Sequence, residues 1–219
     1  MERQNILKEK TAFIILAVLY MVGVAGHSVK PLCQLMIMLT PYTLLLSGII
    51  VLLVVFRGQY QTKFAIWLGA VFIAAFLTEA AGVATGMIFG SYYYGNVLGF
   101  SLLDVPVLIC FNWMFVVLGS ASVSRRLFHR PFYSALSAAM LAVIFDYAME
   151  PVAQKLNYWQ WRGGYAPFQN YISWGFFAFL SAYILFKAEI KIPDGLIAEK
   201  YFLIQFIFFC LLNIIPISV

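Results

Sequence analysis

The sequence predicts an all-α integral membrane protein that forms a single domain over residues 1–219, with about seven transmembrane helices and a cytoplasmic N-terminus. Of the 219 residues, 63% are hydrophobic and 11% are charged, whereas about a quarter of the residues in soluble domains are charged. Seven apolar stretches approach the roughly 20 residues that a membrane-spanning helix needs. Basic residues are concentrated in alternate connections between these stretches. We therefore expect a multi-pass protein of the inner cell membrane.

The predicted helices follow one another through short polar connections. The first is short and follows a basic N-terminus, as in signal peptides, but Val24-Ala25-Gly26 is a weak cleavage site. The fourth opens at Asp104, and the fifth should end or kink at Glu150, because Pro151 disfavours helical angles in the residue before it. The seven predicted helices cover about residues 11–27, 33–56, 64–86, 104–122, 132–152, 170–187 and 200–217.

The distribution of Lys and Arg predicts the orientation. Only Lys30, Lys155 and Arg162 lie on one side, whereas the other 11 of the 14 basic residues lie on the opposite side. The positive-inside rule places that basic side, with the N-terminus, in the cytoplasm. The two longest loops, about 88–103 and 153–169, are then both on the outer face. The basic side carries Arg3, Lys8, Lys10, Arg57, Lys63, Arg125, Arg126, Arg130, Lys187, Lys191 and Lys200.

Four acidic residues lie in or at the edges of the predicted helices: Glu79, Asp104, Asp146 and Glu150. A carboxylate in hydrocarbon costs a few kcal/mol, so each should face a cavity, a partner or water. Asp146 and Glu150 are four residues apart and therefore share a helix face. All four map to the outer half of the membrane and could converge. Carboxyl groups that converge in an apolar site cannot all stay ionised, so we expect at least one to be protonated at neutral pH.

Small residues accompany these acids along two predicted helices. Ala135, Ala139 and Ala142 precede Asp146, and Gly82, Gly86 and Gly90 follow Glu79. Such stripes allow helices to pack closely, or they line a narrow slot for a long, flat apolar ligand. Both interpretations are open from the sequence.

Aromatic and amide side chains mark the same outer region. Rings at a membrane interface commonly form an aromatic belt, and their faces can also stabilise a cation. Asn112 and Asn170 are polar groups that should find partners within the helices. The candidate substrate-binding residues are Tyr92, Tyr94, Asn112, Trp113, Trp159, Trp161, Asn170 and Trp174.

Several classes of function lack support. Cys33, Cys110 and Cys210 are far apart, and His27 and His129 are isolated, so we expect no metal site. The sequence contains neither a Gly-rich phosphate loop nor an Asp-rich motif of the type that binds magnesium and diphosphate. The net charge of +5 is small and scattered, which argues against nucleic acid as a partner.

Three segments of the chain resemble the hallmarks of a known family. They are FGSYYYGNVLGFSLLDVPVLICFNW from Phe89, FDYAMEPVAQKLNYWQW up to Trp161, and PFQNYISW from Pro167. They are similar, in the same order, to motifs of the carotenoid biosynthesis membrane protein family, which includes CruF-type carotenoid 1′,2′-hydratases and bisanhydrobacterioruberin hydratase. The family more often has Asp-Pro where this chain has Glu150-Pro151. The acid is retained, although its reach differs.

The resemblance implies an enzyme that adds water to the terminal C1–C2 double bond of an acyclic (ψ-end) carotenoid. Such a reaction needs a strong acid, aromatic faces near a tertiary cation and one water, and no cofactor. Asp146 or Glu150 would then donate the proton, and Glu79 or Asp104 would position the water. The expected partners of such an enzyme are the carotenoid, water, the lipid bilayer and other enzymes of the carotenoid pathway.

Two alternatives are open at this point. A lycopene-type cyclase begins with the same protonation, but the C5–C6 double bond captures the cation in place of water. A seven-helix transporter, channel or receptor could use intramembrane acids to relay protons without any chemistry on a pigment. A retinal-type receptor would need a lysine deep in the last helix, which this sequence lacks beyond Lys200, and transporters more often contain an internal repeat.

Overall fold

Seven α-helices make up most of the chain in the computed structural model, which describes residues 2–56, 62–192 and 197–218. The side chains before residue 9 lie outside this description, as does Arg57, one of the residues used to predict orientation. The helices are α1 (Glu2–Ser28), α2 (Lys30–Val55), α3 (Thr62–Thr85), α4 (Val107–Leu127), α5 (Pro131–Lys155), α6 (Phe168–Lys187) and α7 (Ile197–Ile214).

Six of these helices are long and apolar enough to cross a membrane by length and composition, namely α1 to α5 and α7. Helix α6 has 20 residues and is not among these six; the polar residues Gln169 and Asn170 lie in its first turn. Helices are the expected response to lipid, because the bilayer core offers no partner for backbone N–H and C=O groups and a helix pairs them internally. The predicted all-α polytopic membrane fold is confirmed.

Helix α4 occupies the centre of the bundle. It packs against α2, α3, α5, α6 and α7, whereas α1 packs against α2 and α7. Gly119 of α4 allows close contact with α7, because a Cβ there would overlap Phe202 and the carbonyl of Ala198. Many large apolar side chains of α1, α2 and α3 are exposed on the outside of the bundle, where lipid would cover them.

Two short antiparallel sheets connect the helices at one end of the bundle. Strand β1 (Tyr92–Tyr94) pairs with β4 (Trp159–Trp161), with Tyr92 opposite Trp161 and Tyr94 opposite Trp159. The two longest loops therefore meet at the same end of the bundle, as the sequence predicted. Strands β2 (Ser101–Leu102) and β3 (Val105–Pro106) form a hairpin just before α4.

The predicted start of the fourth helix at Asp104 is wrong. Asp104 lies in the two-residue turn of the β2–β3 hairpin, where Leu103 has φ 52° and Asp104 φ 61°. Two successive residues with positive φ are typical of a tight hairpin turn whose twist matches that of the strands. The helix begins only at Val107, and Pro106 takes the capping position.

Of the two outcomes predicted at Glu150, an end or a kink of the fifth helix, the end is wrong, because α5 continues through Pro151 to Lys155. Proline lacks the N–H that would bond the carbonyl of Tyr147, which removes one helical hydrogen bond. The residues after Pro151 retain their own N–H groups, and Val152 and Ala153 are fully buried. Their packing holds the last turn in place despite the local preference.

Candidate active site

Three acidic side chains from two helices share one small cavity near the β1–β4 ribbon. Glu79 comes from α3, whereas Asp146 and Glu150 lie one turn apart on α5. They are 3%, 1% and 4% exposed, respectively. The structure therefore brings Glu79 and Asp146 to the same cavity, as the sequence predicted. Of the residues that line it in the described part of the chain, none is basic.

Asn170 joins the two acids of α5. Its Nδ2 donates hydrogen bonds to Oδ2 of Asp146 at 2.7 Å and to Oε1 of Glu150 at 3.3 Å. Asn170 is in the first turn of α6, and α6 packs closely along α5. The amide thus holds the two carboxyl groups at a set separation.

Two indoles fix the other oxygen of Glu150. The Nε1–H groups of Trp159 and Trp161 donate to Oε2 at 3.0 Å and 2.7 Å. These residues alternate along β4 with Gln160, and alternate side chains of a strand point to the same face. The ribbon therefore directs both indoles to the acid, and Gln160 turns away to bond the carbonyl of Gln154.

Glu79 accepts a hydrogen bond from the hydroxyl of Tyr92 on the partner strand β1. Burial raises the pKa of the Tyr92 hydroxyl, and the Glu79 carboxylate raises it further. Burial likewise raises the pKa of Tyr94, again with a contribution from Glu79. Both phenols therefore remain protonated and can donate to the acid. Tyr93, between them, is 52% exposed.

Aromatic rings form much of the cavity wall. Trp113 of α4 stacks on Trp174 of α6 with ring centroids 3.6 Å apart, and Phe89 stacks on the other side of Trp174 at 4.8 Å. The ring centroids of Tyr92 and Trp161 are 4.9 Å apart. The face of an aromatic ring carries negative charge density and attracts cations. A positive charge that developed in this cavity would therefore be surrounded by rings as well as acids.

The free volume of the cavity is about 20 Å³. A buried water needs about 10–15 Å³ measured in the same way, together with polar partners. The cavity therefore has room for about one water molecule, and its acids, phenols and Asn170 supply the hydrogen bonds.

Two predicted site residues are not in this cavity. Asp104 is exposed on its hairpin turn, so three of the four carboxylates converge and not all four. Asn112 bonds to Gln205 on α7, whose Nε2 lies 2.7 Å from Asn112 Oδ1. Asn112 directly precedes Trp113 on α4, but its side chain bonds to α7 and contacts none of the acids.

Three residues of the cavity wall were not among the sequence candidates: Phe89, Ile109 and Met149. Ile109 lies four residues before Trp113 on α4, and Met149 lies three residues after Asp146 on α5. Helical spacing from the named candidates would have indicated both. Phe89 is in a loop and offered no such signal.

The small-residue stripes serve packing at several positions. Ala135, Ala139 and Ala142 are buried between helices and do not line the acid cavity. Gly82 leaves space for the Phe89 ring and lies close to the Tyr92 hydroxyl. Gly86 has φ +66° and lies beyond the end of α3, so the three glycines do not form one helical face.

A sequence model of a known family, described as carotenoid biosynthesis protein, matches residues 39–217. The matched region contains every acid and ring of the cavity. The search of curated proteins and the search of solved structures both found no match. The predicted resemblance is confirmed, and this multi-pass membrane chain belongs to the carotenoid biosynthesis protein family.

Proposed function

We propose that the chain is a carotenoid hydratase that adds water to the terminal C1–C2 double bond of an acyclic carotenoid. The observation that carries this proposal is the small cavity in which Glu79, Asp146 and Glu150 meet aromatic rings and a space for about one water. Membership of a carotenoid biosynthesis family supports a carotenoid as the substrate.

The reaction proceeds in two steps. A carboxylic acid gives its proton to C2, the π electrons form the new C–H bond, and C1 becomes a tertiary cation. Water then forms the C–O bond at C1 and releases one proton to a carboxylate. The product is a tertiary alcohol. The proton then passes from the accepting carboxylic acid back to the donor, so the reaction consumes one water and no other reagent.

Asp146 is the proposed proton donor. Glu150 accepts two indole N–H bonds on one oxygen, and accepting such bonds is what an ionised carboxylate does best. Among the described residues, Asn170 is the one hydrogen-bond donor to Asp146. Asp146 can therefore hold a proton on its second oxygen, with Glu150 as its charged neighbour.

Glu79 is the proposed acceptor of the proton that the water releases. It lies across the cavity on α3, where the Tyr92 hydroxyl holds one of its oxygens. The rings of Trp113, Trp174 and Trp161 line the space between and would stabilise the cation at C1 by cation–π attraction. The end group is larger than the present cavity, so its binding must move some lining side chains.

Expression in cells that accumulate lycopene tests the proposal. We expect a more polar pigment whose mass has increased by one water for each modified end. When the cells grow in deuterated water, the new C–H bond at C2 should carry deuterium. A pigment of unchanged mass but altered absorption would show cyclisation, and unchanged pigment with proton uptake by proteoliposomes would show a transporter; either result would overturn the proposal.

Matched variants test the site itself. At equal membrane levels, Asp146→Asn and Glu79→Gln should each lower conversion at least 100-fold, because proton transfer by a positioned group typically contributes a factor of about 10²–10⁴. Asp104→Asn makes the same chemical change on an exposed turn and should leave conversion near the wild-type rate. Wild-type conversion by Asp146→Asn would rule out the proposed donor.

A further inference from the structure

A second pocket lies between α1, α2 and α7, outside the acid cavity. Its volume is about 140 Å³, similar to an engineered cavity of about 150 Å³ that holds benzene. The wall is mainly apolar and includes Leu19, Val22, Met36, Leu39, Leu44 and Phe208.

Among the buried polar side chains that line this pocket are His27 and Gln205. They are 3% and 1% exposed, and within the described ranges neither Nε2 of His27 nor Oε1 of Gln205 has a hydrogen-bond partner. Buried polar atoms are normally paired, so each exception in a structure requires an explanation.

Both unpartnered atoms are acceptors. Nδ1 of His27 lies 2.7 Å from the carbonyl oxygen of Gly23. A carbonyl only accepts, so Nδ1 carries the proton, and Nε2 of the neutral ring has a free lone pair. The amide nitrogen of Gln205 already faces Asn112, Tyr20 and Tyr201, which leaves its carbonyl oxygen as the unpaired atom.

We propose that this pocket binds an apolar molecule with one hydroxyl group, and that the hydroxyl donates a hydrogen bond to Nε2 of His27. A hydrocarbon would leave both acceptors unpaired, and a charged ligand would be poorly solvated by the apolar wall. An aliphatic alcohol is uncharged and supplies one donor, which pairs Nε2 of His27 and leaves Oε1 of Gln205 as it is.

Consecutive residues line this pocket and the acid cavity. Tyr158 lines the pocket, and the next residue, Trp159, lines the acid cavity and donates to Glu150. The Tyr158 hydroxyl lies 3.2 Å from that of Thr40 on α2. We identify this alcohol as the hydrated end of the carotenoid. That identity rests on the proposed function, because hydration would create a tertiary alcohol in the acid cavity.

The test uses purified full-length protein and two saturated probes that cannot be turned over: tetrahydromyrcenol, a tertiary alcohol, and the alkane with the same carbon skeleton. Binding is measured from the rise in thermal midpoint with probe concentration. The ratio of alcohol to alkane affinity should be about fivefold higher in wild type than in His27→Phe, the effect expected for one net hydrogen bond. His27→Gln, which keeps an acceptor, should retain part of that preference.

A diazirine derivative of the alcohol provides a measurement that needs no variant. After irradiation, its cross-links should map to pocket-lining residues of α1, α2 and α7 in wild type. Equal ratios of alcohol to alkane affinity in wild type and His27→Phe would mean that water, and not the ligand, donates the hydrogen bond to His27, and would overturn the proposal. Cross-links confined to other helices would also overturn it. Since the probes are inert, this outcome is independent of hydratase activity. If the protein binds the alcohol selectively but has no hydratase activity, the proposed alcohol site stands and the proposed function is refuted.

Discussion

At the scale of single residues, hydrogen-bond donors separate acids that are otherwise alike. Glu150 accepts hydrogen bonds from Trp159, Trp161 and Asn170. Asp146 accepts one from Asn170, and Glu79 accepts one from Tyr92. Three carboxyl groups in one cavity therefore meet three different environments. Assigning an acid and a base to such groups depends on environments that differ in this way.

The first prediction concerns the indole that lies closest to Glu150. Trp161→Phe keeps a ring beside Tyr92 but removes the N–H that donates to Oε2 at 2.7 Å. Since hydrogen bonds to charged groups contribute about 1.5–3 kcal/mol, we expect conversion to fall about tenfold or more. Pigment analysis at matched membrane levels measures this.

Trp67→Phe is the control for that variant. It also removes a buried indole donor, here to the carbonyl of Ser181 at 3.0 Å, but it touches none of the acids. It should lower stability and leave conversion per folded protein unchanged. Equal losses in both variants would mean that Trp161 acts only through packing.

The second prediction concerns pH. Burial raises the pKa of Tyr92 in the folded protein, whereas an unfolded tyrosine titrates near about 10. Above about pH 10 the unfolded chain loses a proton that the folded chain keeps, so stability falls as pH rises, by up to about 1.4 kcal/mol per pH unit for this group. Tyr92→Phe should reduce the slope. Thermal midpoints between about pH 9 and 11 measure it, and identical slopes would contradict the assignment.

At the scale of elements, the β1–β4 ribbon links parts of the site that are distant in the chain. Pairing of Tyr92 with Trp161 and Tyr94 with Trp159 places all four side chains on the cavity side. Helix α3 approaches this ribbon through Gly82, where a Cβ would lie 2.5 Å from Cδ2 of Phe89 and 3.4 Å from the Tyr92 hydroxyl. A larger residue there would push the ribbon away from Glu79.

The third prediction follows from this contact. Gly82→Ala should destabilise the protein by about 1–3 kcal/mol, as overpacking does, and should lower conversion. Gly69→Ala lies on the same helix with nothing within 4 Å of its added Cβ. It should be neutral or slightly stabilising, because Ala favours helix over Gly by about 1 kcal/mol. Thermal unfolding in detergent compares them, and equal effects would show that the Gly82 contact is unimportant.

At the scale of the whole molecule, the acid cavity and both long loops lie at one end of the bundle. The distribution of basic residues predicts that this end faces away from the cytoplasm. The membrane orientation therefore determines from which side water reaches the site. This orientation is a prediction from the sequence.

The fourth prediction tests this orientation with single cysteines at exposed positions. Gly163 follows β4 at the ribbon end, and His129 lies between α4 and α5 at the opposite end. In intact cells a membrane-impermeant maleimide should label Gly163→Cys and spare His129→Cys until the membrane is permeabilised. The native Cys33 and Cys110 are buried and Cys210 is half-buried, so they should react slowly. The reverse pattern would invert the proposed topology.

Local spacing and composition are enough to predict the helices and part of the site. Lipid offers backbone groups no partners, so apolar stretches of sufficient length become helices wherever they later pack. Asp146 and Glu150 share a face because helical spacing is local. Charged groups are too costly to leave in lipid, and this cost alone marked Glu79 as a residue facing a cavity.

Long-range packing determines which groups meet. Asp104 is turned outward by a hairpin, Asn112 pairs with Gln205 from α7, and Trp161 reaches Glu150 because β4 pairs with β1. Packing of Val152 and Ala153 carries α5 past Pro151. Each outcome depends on contacts between residues that are distant in the chain or on burial that outweighs a local preference, and neither is encoded in the spacing of residues along one helix.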